Sequence, residues 1–352
     1  MTDEEPTVAY LGLDHHHCGP YLASLAVLPV TVTCAFDPNE TIDIPDIEGV
    51  SIHHRYGDLD RLFAEQSPDI VWITASNLDT PRLVGRAVGT GADAFVEKPM
   101  ACTAAGLEPV VRHVREAGAL VVPSYPWRAH PIAQALRRRA AAGFFGDLES
   151  VSARFFAAGI RHRDAGHYLY DAASSRGGIV QWLGVHWLDL VPWMLDEEIV
   201  AVAARMRQGS TVDVDTHAVV AFELTDGTTG TLECGYTLDA GRYETGIDIR
   251  GRAGRASWDP MGETFGFDGT TAVTLTSEAD AWASAPRRRR VYEYAAGPGY
   301  GGRWGLRFME QFLDALTGSV GPPATIEDAR AVLTVLDAVY ESADTGRWTS
   351  VR

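Results

Sequence analysis

The segment Val8-Ala9-Tyr10-Leu11-Gly12-Leu13-Asp14-His15-His16-His17 joins a short apolar run to a glycine and a polar turn. Further apolar runs follow, separated by segments with helical periodicity and helix start and stop signals. This alternation predicts βαβ units and a parallel, doubly wound sheet, which binds ligands at the carboxyl ends of its strands. We predict strands at residues 8–13, 30–36, 70–75, 94–96 and 120–122, with helices near 20–27, 59–65, 81–88 and 103–117.

The pattern changes near Glu149, where strand-like segments follow one another with few helices between them. Such a succession predicts an antiparallel sheet. We predict strands at residues 151–156, 199–206, 218–224, 229–236, 245–249 and 253–258, and two closing helices near 303–316 and 326–342. We place a first domain at residues 1–125 and a second at 126–352, with final helices that can pack back on the first domain.

Composition excludes several classes of partner. The 352 residues include 47 acidic and 30 basic side chains, and the net charge of −17 disfavours binding to nucleic acid or to an anionic membrane. No apolar run is long enough to span a bilayer, and the first residues are acidic where a signal peptide is basic. Four cysteines without C-x-x-C spacing indicate neither disulfides nor a zinc knuckle. We expect a soluble, cytoplasmic protein.

The first turn departs from the G-x-G-x-x-G fingerprint of dinucleotide-binding domains. Gly12 is in place, but Asp14 and His17 occupy the other two glycine positions. Asp14 is a candidate residue of the cofactor-binding loop, and it would repel a pyrophosphate unless it turns away to cap the next helix. We expect His16 and His17 to offer imidazole N–H groups to phosphate. We expect no metal here, because three consecutive side chains cannot all point at one centre on a strand or helix.

Two further residues are candidates on chemical grounds. Asp37 ends the second strand 25 residues after Gly12, where an acidic side chain favours NAD over NADP, although an ordinary Asp-Pro turn is an equal alternative. Lys98 is the only lysine in the chain, and the other 29 basic residues are arginine. An ammonium can shift its pKa where guanidinium cannot, so a solitary lysine is a candidate functional group.

The heptapeptide Ala94-Phe95-Val96-Glu97-Lys98-Pro99-Met100 resembles the E-K-P signature of the Gfo/Idh/MocA oxidoreductases. More segments follow in that family's order: Tyr125-x-x-Arg128-x-x-Pro131, Gly143-Phe144-Phe145-Gly146-Asp147-Leu148, Gly177-Gly178, Gly184-Val185-His186-x-x-Asp189, and the tail Phe308-x-x-x-Phe312, Glu327-Asp328-Ala329 and Ala338-x-Tyr340-x-Ser342-Ala343-x-x-Gly346. The resemblance covers nearly the whole chain. It implies an N-terminal Rossmann domain, a C-terminal α+β domain with a large, open, mostly antiparallel sheet, and nicotinamide-dependent chemistry on sugars, cyclitols or related polyols.

The resemblance also implies site residues. The catalytic lysine and histidine of the family fall on Lys98 and His186. Its cofactor contacts fall on Gly12, Thr74, Ala75, Asn77, Glu97 and Arg128, and Tyr125 is a substrate contact. Family members commonly carry Asp four residues before the active-site histidine, and here that position is Trp182.

The predicted chemistry is hydride transfer from a carbinol carbon, which needs a base for the hydroxyl proton and a cation for alkoxide-like charge. Lys98 can supply the cation and His186 the base. Asp189 can orient the imidazole or simply pair with an arginine, and Trp182 can stack on a sugar ring. Residues 159–176 lack clean periodicity and are the candidate substrate loop, with His167 a possible contact.

Alternatives stay open at this point. A redox-neutral lyase, hydrolase or epimerase with tightly held NAD is one, and a non-catalytic binding or assembly subunit is another. NADP can replace NAD as the cofactor. An open sheet face needs covering, so we expect a homodimer or homotetramer through the C-terminal sheet, and a small sugar-like substrate as the other partner.

Overall fold

A computed structural model describes residues 5–261, 270–293 and 297–352. The chain divides into two compact units. The first comprises Met1–Pro126 and Gly297–Ala331, and the second comprises Trp127–Ala296 and Val332–Arg352. None of the helices in the described ranges combines the length and the apolar character needed to cross a membrane.

The first unit is built on a parallel sheet of six strands in its described part, in the order β3-β2-β1-β4-β5-β6. This is the strand order of doubly wound dinucleotide-binding sheets, and it confirms the predicted fold. The strands are β1 (Thr7–Leu11), β2 (Thr31–Phe36), β3 (His54–Tyr56), β4 (Ile70–Ile73), β5 (Asp93–Val96) and β6 (Val121–Pro123). The helices are α1 (Cys18–Leu25), α2 (Leu59–Glu65), α3 (Thr80–Gly89), α4 (Ala104–Ala117) and, later in the chain, α8 (Gly302–Leu316).

Aromatic packing holds α8 to this sheet. Trp72 of β4 and Phe95 of β5 stack with ring centroids 4.0 Å apart. Phe308 and Phe312 of α8 meet Phe95 edge-on, at 6.1 and 5.5 Å. All four side chains are fully buried, so this cluster is a large part of the apolar core of the unit.

Predicted helix ends are confirmed where the capping chemistry is strongest. The Thr103 side chain accepts a hydrogen bond from the Gly106 amide at 3.0 Å, and Gly118 ends α4 in the left-handed conformation with φ 65°. Before the last helix, Thr325 and Asp328 bond each other's backbone amides, at 3.3 and 2.7 Å. This reciprocal pair is a capping box.

The second unit contains a mostly antiparallel sheet of nine strands in its described part, in the order β14-β13-β12-β11-β7-β10-β9-β8-β15, in which only β7 and β10 pair in parallel. The strands are β7 (Leu148–Ala158), β8 (Ile199–Gln208), β9 (Asp215–Leu224), β10 (Thr229–Leu238), β11 (Tyr243–Gly251), β12 (Gly254–Asp259), β13 (Thr270–Ser277), β14 (Arg287–Glu293) and β15 (Thr349–Ser350). The helices are α5 (Pro131–Ala141), α6 (Ala172–Ser175), α7 (Val185–Leu195) and α9 (Ile326–Thr345), whose first residues belong to the other unit.

The sequence analysis missed β3, β13, β14, β15, α5 and α6. Strand β14 contains the four arginines at residues 287–290. Among the described strands it pairs with β13 alone and lies at the edge of the sheet, so its charged side chains need no apolar alternation.

A buried carboxylate fixes the start of the segment that leads into α7. Asp215 accepts hydrogen bonds from the Gly178 amide at 2.7 Å, the Val180 amide at 3.0 Å and the Tyr340 hydroxyl at 2.7 Å. Burial, followed by the charge of Asp215, raises the pKa of Tyr340, so its hydroxyl stays a donor. Residues Val180–Gly184 then form a π-helical turn immediately before α7. Such turns interrupt the regular helix and often occur at functional sites.

We expect Asp215→Asn to destabilise this segment. The carboxylate uses both of its oxygens to accept from three donors, and an amide has only one acceptor oxygen. The free energy of unfolding should fall by about 1–3 kcal/mol, the usual cost of a buried group left unpaired. Hydrogen exchange should accelerate at the amides of Gly178 and Val180. Asp43→Asn, the same exchange on an exposed loop, is the matched control. Unchanged exchange at both amides would contradict the role assigned to Asp215.

Candidate active site

The candidate site of the first unit lies along the carboxyl edge of the parallel sheet. A glycine or a polar residue directly follows each of β1, β2, β4, β5 and β6: Gly12, Asp37, Thr74, Glu97 and Ser124. Each of the four polar residues is at least 95% buried. Ligands of doubly wound sheets bind at this edge, where the strand order reverses between β1 and β4.

Gly12 makes a close turn that other residues cannot make. Its φ is +90°, and a Cβ atom built there would lie 2.5 Å from the Thr74 carbonyl oxygen. The Thr74 hydroxyl donates to the Gly12 carbonyl at 2.6 Å, which ties β1 to β4 at the switch point. Ala75 is partly exposed beyond this contact, and Asn77 is buried. The first glycine of the fingerprint therefore has its structural role here.

Asp37 supports the same turn. One carboxylate oxygen accepts from the Leu13 amide at 2.7 Å, and the other accepts from the Asn39 amide at 2.9 Å. The side chain is 5% exposed. Asp37 thus has both the backbone turn that we considered as an alternative and the position expected of a ribose-binding carboxylate.

The three histidines differ in environment. His15 is buried, His16 is exposed and His17 is partly buried. His15 Nδ1 accepts from the His17 amide at 3.0 Å. His17 immediately precedes α1, so the expectation that Asp14 caps this helix is wrong, and Asp14 is exposed. The argument that three consecutive histidines cannot converge on one metal ion is also wrong. One ring nitrogen from each histidine lies within 4.8 Å of the others.

A buried ion cluster connects this loop to Lys98. Oxygen Oε1 of Glu97 lies 3.4 Å from Lys98 Nζ and 3.5 Å from His17 Nδ1. Oxygen Oε2 accepts from the Tyr21 hydroxyl, which also lies 2.7 Å from Ser124 Oγ. The side chains of Glu97 and Lys98 are each 2% exposed. One carboxylate is therefore shared by the lysine, a histidine of the first turn and a tyrosine of α1.

Burial and charge act in opposite directions in this cluster. Burial lowers the pKa of Lys98, and the neighbouring Glu97 opposes that change. Burial alone would raise the pKa of Glu97, but Lys98, followed by His17, lowers it overall. Burial lowers the pKa of His17 and raises that of Tyr21. At neutral pH the cluster thus contains an ionised Glu97, a neutral imidazole and a tyrosine that can donate.

The second unit contains the other predicted site residues. His186 lies in the first turn of α7, is buried, and stacks against Phe155 with centroids 6.3 Å apart. Asp189, one turn later, forms a two-point ion pair with Arg128, at 3.1 Å to Nε and 2.5 Å to the terminal nitrogen. The pair is buried, and it is the arginine pairing that we gave as the alternative to orientation of the imidazole by Asp189.

The remaining predicted residues have separate environments. Trp182 is buried in the π-helical turn, and its amide donates to the Gly178 carbonyl at 3.0 Å. His167 Nδ1 accepts from the Leu169 amide at 3.2 Å and so caps a short helical turn at Tyr168–Tyr170. Tyr125, in the first unit, is buried and is the second residue after β6.

Family models decide the assignment. The model described as the oxidoreductase family with an NAD-binding Rossmann fold matches residues 12–125, and the model of the GFO/IDH/MocA C-terminal domain matches residues 133–257. The chain belongs to the Gfo/Idh/MocA family. The predicted resemblance is thus confirmed, and the protein is an NAD-binding oxidoreductase.

Individual Gfo/Idh/MocA relatives align over most of the chain. A D-apiose dehydrogenase of Rhizobium rhizogenes is 26% identical over 330 residues, which are 92% of this chain and 90% of the relative. A D-xylose 1-dehydrogenase (NADP(+)) of Haloferax volcanii is 25% identical over 293 residues, with 83% of each chain covered. The solved structure of GenD2 from gentamicin A biosynthesis in complex with NAD has a TM-score of 0.80 at 22% identity, covering 100% of this chain and 98% of its own.

The carboxyl edge of the first unit fits the NAD expected of a Gfo/Idh/MocA protein. Gly12 provides the tight turn that the first glycine of the fingerprint supplies, because a Cβ atom there would clash with the Thr74 carbonyl. Sequence reasoning found Gly12, Asp37 and Lys98, but it missed Tyr21 and Ser124. Nothing in their local sequence marks them, because Tyr21 reaches Glu97 across 76 residues and Ser124 bonds the Tyr21 hydroxyl from the end of the adjacent strand.

The solitary lysine makes the ion cluster directly measurable. Because Lys98 is the only lysine, ¹³C-lysine labelling gives one Cε signal whose pH titration reports the Lys98 pKa. Glu97→Gln removes the charge that raises this pKa, so the midpoint should move to lower pH by at least about one unit, or 1.4 kcal/mol. Glu48→Gln, on an exposed loop, should leave the midpoint in place. An unchanged midpoint in Glu97→Gln would refute the coupling.

Proposed function

We propose that this protein is an NAD-dependent dehydrogenase that transfers hydride between nicotinamide and a carbinol or carbonyl carbon of a sugar, cyclitol or related polyol. The observation that carries the proposal is the buried Lys98–Glu97 pair at the carboxyl edge of the parallel sheet, within the same ion cluster as the first turn. The substrate class is supported by the curated relatives, which are named as dehydrogenases of D-apiose and D-xylose.

The roles follow from the chemistry of the side chains. Bound NAD supplies the hydride acceptor. Lys98 stabilises negative charge that develops on the substrate oxygen, and Glu97 holds its ammonium in place. His186 accepts the hydroxyl proton during oxidation and returns it during reduction. The Arg128–Asp189 pair fixes the helix that carries His186, because Asp189 lies one turn after it.

The other predicted residues have supporting roles in the proposal. Tyr125, His167 and Trp182 shape the substrate side, and Trp182 offers an apolar indole where the family commonly has a carboxylate. Thr74, Ala75 and Asn77 contact the nicotinamide half of the cofactor. Asp14, His16 and His17 lie at the first turn, where the phosphates of the cofactor would bind. The homodimer or homotetramer stays a prediction.

The function is tested first by titrating the protein with NADH and following energy transfer from its nine tryptophans to the nicotinamide. Saturable transfer is expected. A screen of aldoses and polyols, including D-apiose and D-xylose, should then identify one that reduces NAD. Substrate loss without NAD reduction would favour a redox-neutral reaction, and absence of nucleotide binding would leave a non-catalytic role.

With a substrate in hand, Lys98→Ala and His186→Ala should each lower kcat/KM by about 10²–10⁴-fold, the usual contribution of a positioned acid–base or electrostatic group. NADH affinity should persist in His186→Ala, because the nucleotide is assigned to the other unit. His53→Ala, an exposed histidine of the first unit, is the control for general effects of histidine removal. Full activity of either variant would remove that residue from the mechanism.

Asp37 should make the enzyme prefer NADH. A buried carboxylate repels the extra phosphate of NADPH, so NADH should bind at least about tenfold more tightly, a difference of about 1.4 kcal/mol. Asp37→Asn keeps the side-chain shape and should reduce this preference. Arg55, which donates to the Asn39 carbonyl, lies nearby and can attract the phosphate. Asp43→Asn controls for loss of one negative charge elsewhere. Equal affinities in the unaltered protein would refute the assignment.

A further inference from the structure

The loop after β7 holds one arginine in a fixed position. Arg163 donates through Nε to the Ala158 carbonyl at 2.9 Å and through a terminal nitrogen to the Tyr170 hydroxyl at 3.2 Å. Its guanidinium carbon lies 4.9 Å from the centre of the Tyr236 ring. The guanidinium is thus oriented by a carbonyl, a hydroxyl and an aromatic face. A guanidinium has five N–H donors in all, and the two hydrogen bonds above use two of them.

This guanidinium lacks a carboxylate partner within the described ranges, where the ion pairs on the loop go to other groups. Arg161 pairs with Asp239 at 3.0 Å, and Asp164 accepts from the Gly166 amide. Burial raises the pKa of both Tyr170 and Tyr236, so neither phenol neutralises the arginine. Burial on its own would lower the pKa of Arg163, but Tyr170, followed by Tyr236 and Tyr243, raises it overall. A partly buried cation is therefore held by a carbonyl, a hydroxyl and an aromatic ring.

Side chains on one face of the nine-stranded sheet connect the surroundings of Arg163 with His186. Tyr236 on β10 and Tyr243 on β11 both pair with Ala157 of β7, so all three project to one face. Phe155 lies two residues earlier on that face. The centroid of its ring lies 6.2 Å from that of Tyr243 and 6.3 Å from that of His186, on which it stacks. Ala157 is the small, buried residue between the two tyrosines on this face.

We propose that Arg163, with Tyr170, Tyr236 and Tyr243, binds an anionic substituent of the substrate, so that the enzyme acts on a sugar acid or a sugar phosphate. Guanidinium is the group best suited to two-point recognition of carboxylate or phosphate, and tyrosine rings provide apolar surface for the sugar. This inference rests on the proposed function and adds the charge of its substrate.

The test measures binding of three probes to the full-length protein by calorimetry, with NADH present and without it: D-glucuronate, D-glucose 6-phosphate and D-glucose. At least one anionic probe should bind about tenfold or more tightly than glucose. The stronger of the two identifies the carboxylate or the phosphate as the preferred group. Equal or weaker binding of both anionic probes would overturn the proposal.

Variants assign the preference to the residue. Arg163→Gln should remove the advantage of the anionic probe and leave glucose unaffected, whereas Arg163→Lys should keep part of it because the charge remains. Arg161→Gln, an exposed arginine two residues away, should keep all of it. Thermal unfolding of each variant separates loss of binding from loss of folding. An anionic preference that survives in folded Arg163→Gln would also overturn the proposal.

The outcomes distinguish this inference from the proposed function. Failure of NADH to bind would count against the dehydrogenase, while the calorimetry without nucleotide still decides the role of Arg163. Oxidation of neutral sugars without any preference for anionic probes would sustain the dehydrogenase and reject the anion subsite.

Discussion

The arrangement of the first unit depends on one buried carboxylate. Glu97 pairs with the buried ammonium of Lys98, and its carboxylate also faces His17 and Tyr21. Burial disfavours the charged form of the lysine and lowers its pKa, and the charge of Glu97 opposes this change. Glu97 in turn stays ionised because two cationic or potentially cationic groups and a hydroxyl face it. Each member of the cluster therefore makes the charge state of the others possible.

This mutual dependence explains how the first turn can depart from the glycine fingerprint. The Gly12 position is constrained by backbone contact with Thr74, and no side chain fits there. The position of His17 has no such constraint, because its side chain points to Glu97 and packs on Tyr300 at 4.1 Å. The third glycine of the fingerprint can thus be replaced where the imidazole joins a charge cluster that already exists.

Sequence reasoning recovered what local patterns encode. Alternating strands and helices predicted the parallel sheet, and caps such as Thr103 and Gly118 predicted helix ends, because these depend on neighbouring residues. The short polar strand His54–Tyr56 and the arginine-rich β14 carry no apolar alternation, so only pairing with their neighbours makes them strands. In the site, Lys98 was recognisable as the solitary lysine. Tyr21, Ser124 and the pairing of Arg128 with Asp189 depend on contacts over long sequence separations.

The charges of the second unit bear on position 182, where this chain has tryptophan and the family commonly has aspartate. An aspartate at that position, one turn before His186, would add a negative charge to the segment held by Asp215. Its replacement by tryptophan removes that charge, while Asp189 is neutralised by Arg128 and Arg163 is left among tyrosines. The Arg128–Asp189 pair adds no net charge to the helix that carries His186, and Trp182 adds none before it. Under the proposed anion subsite, the guanidinium of Arg163 would be the uncompensated charge that an anionic substituent meets.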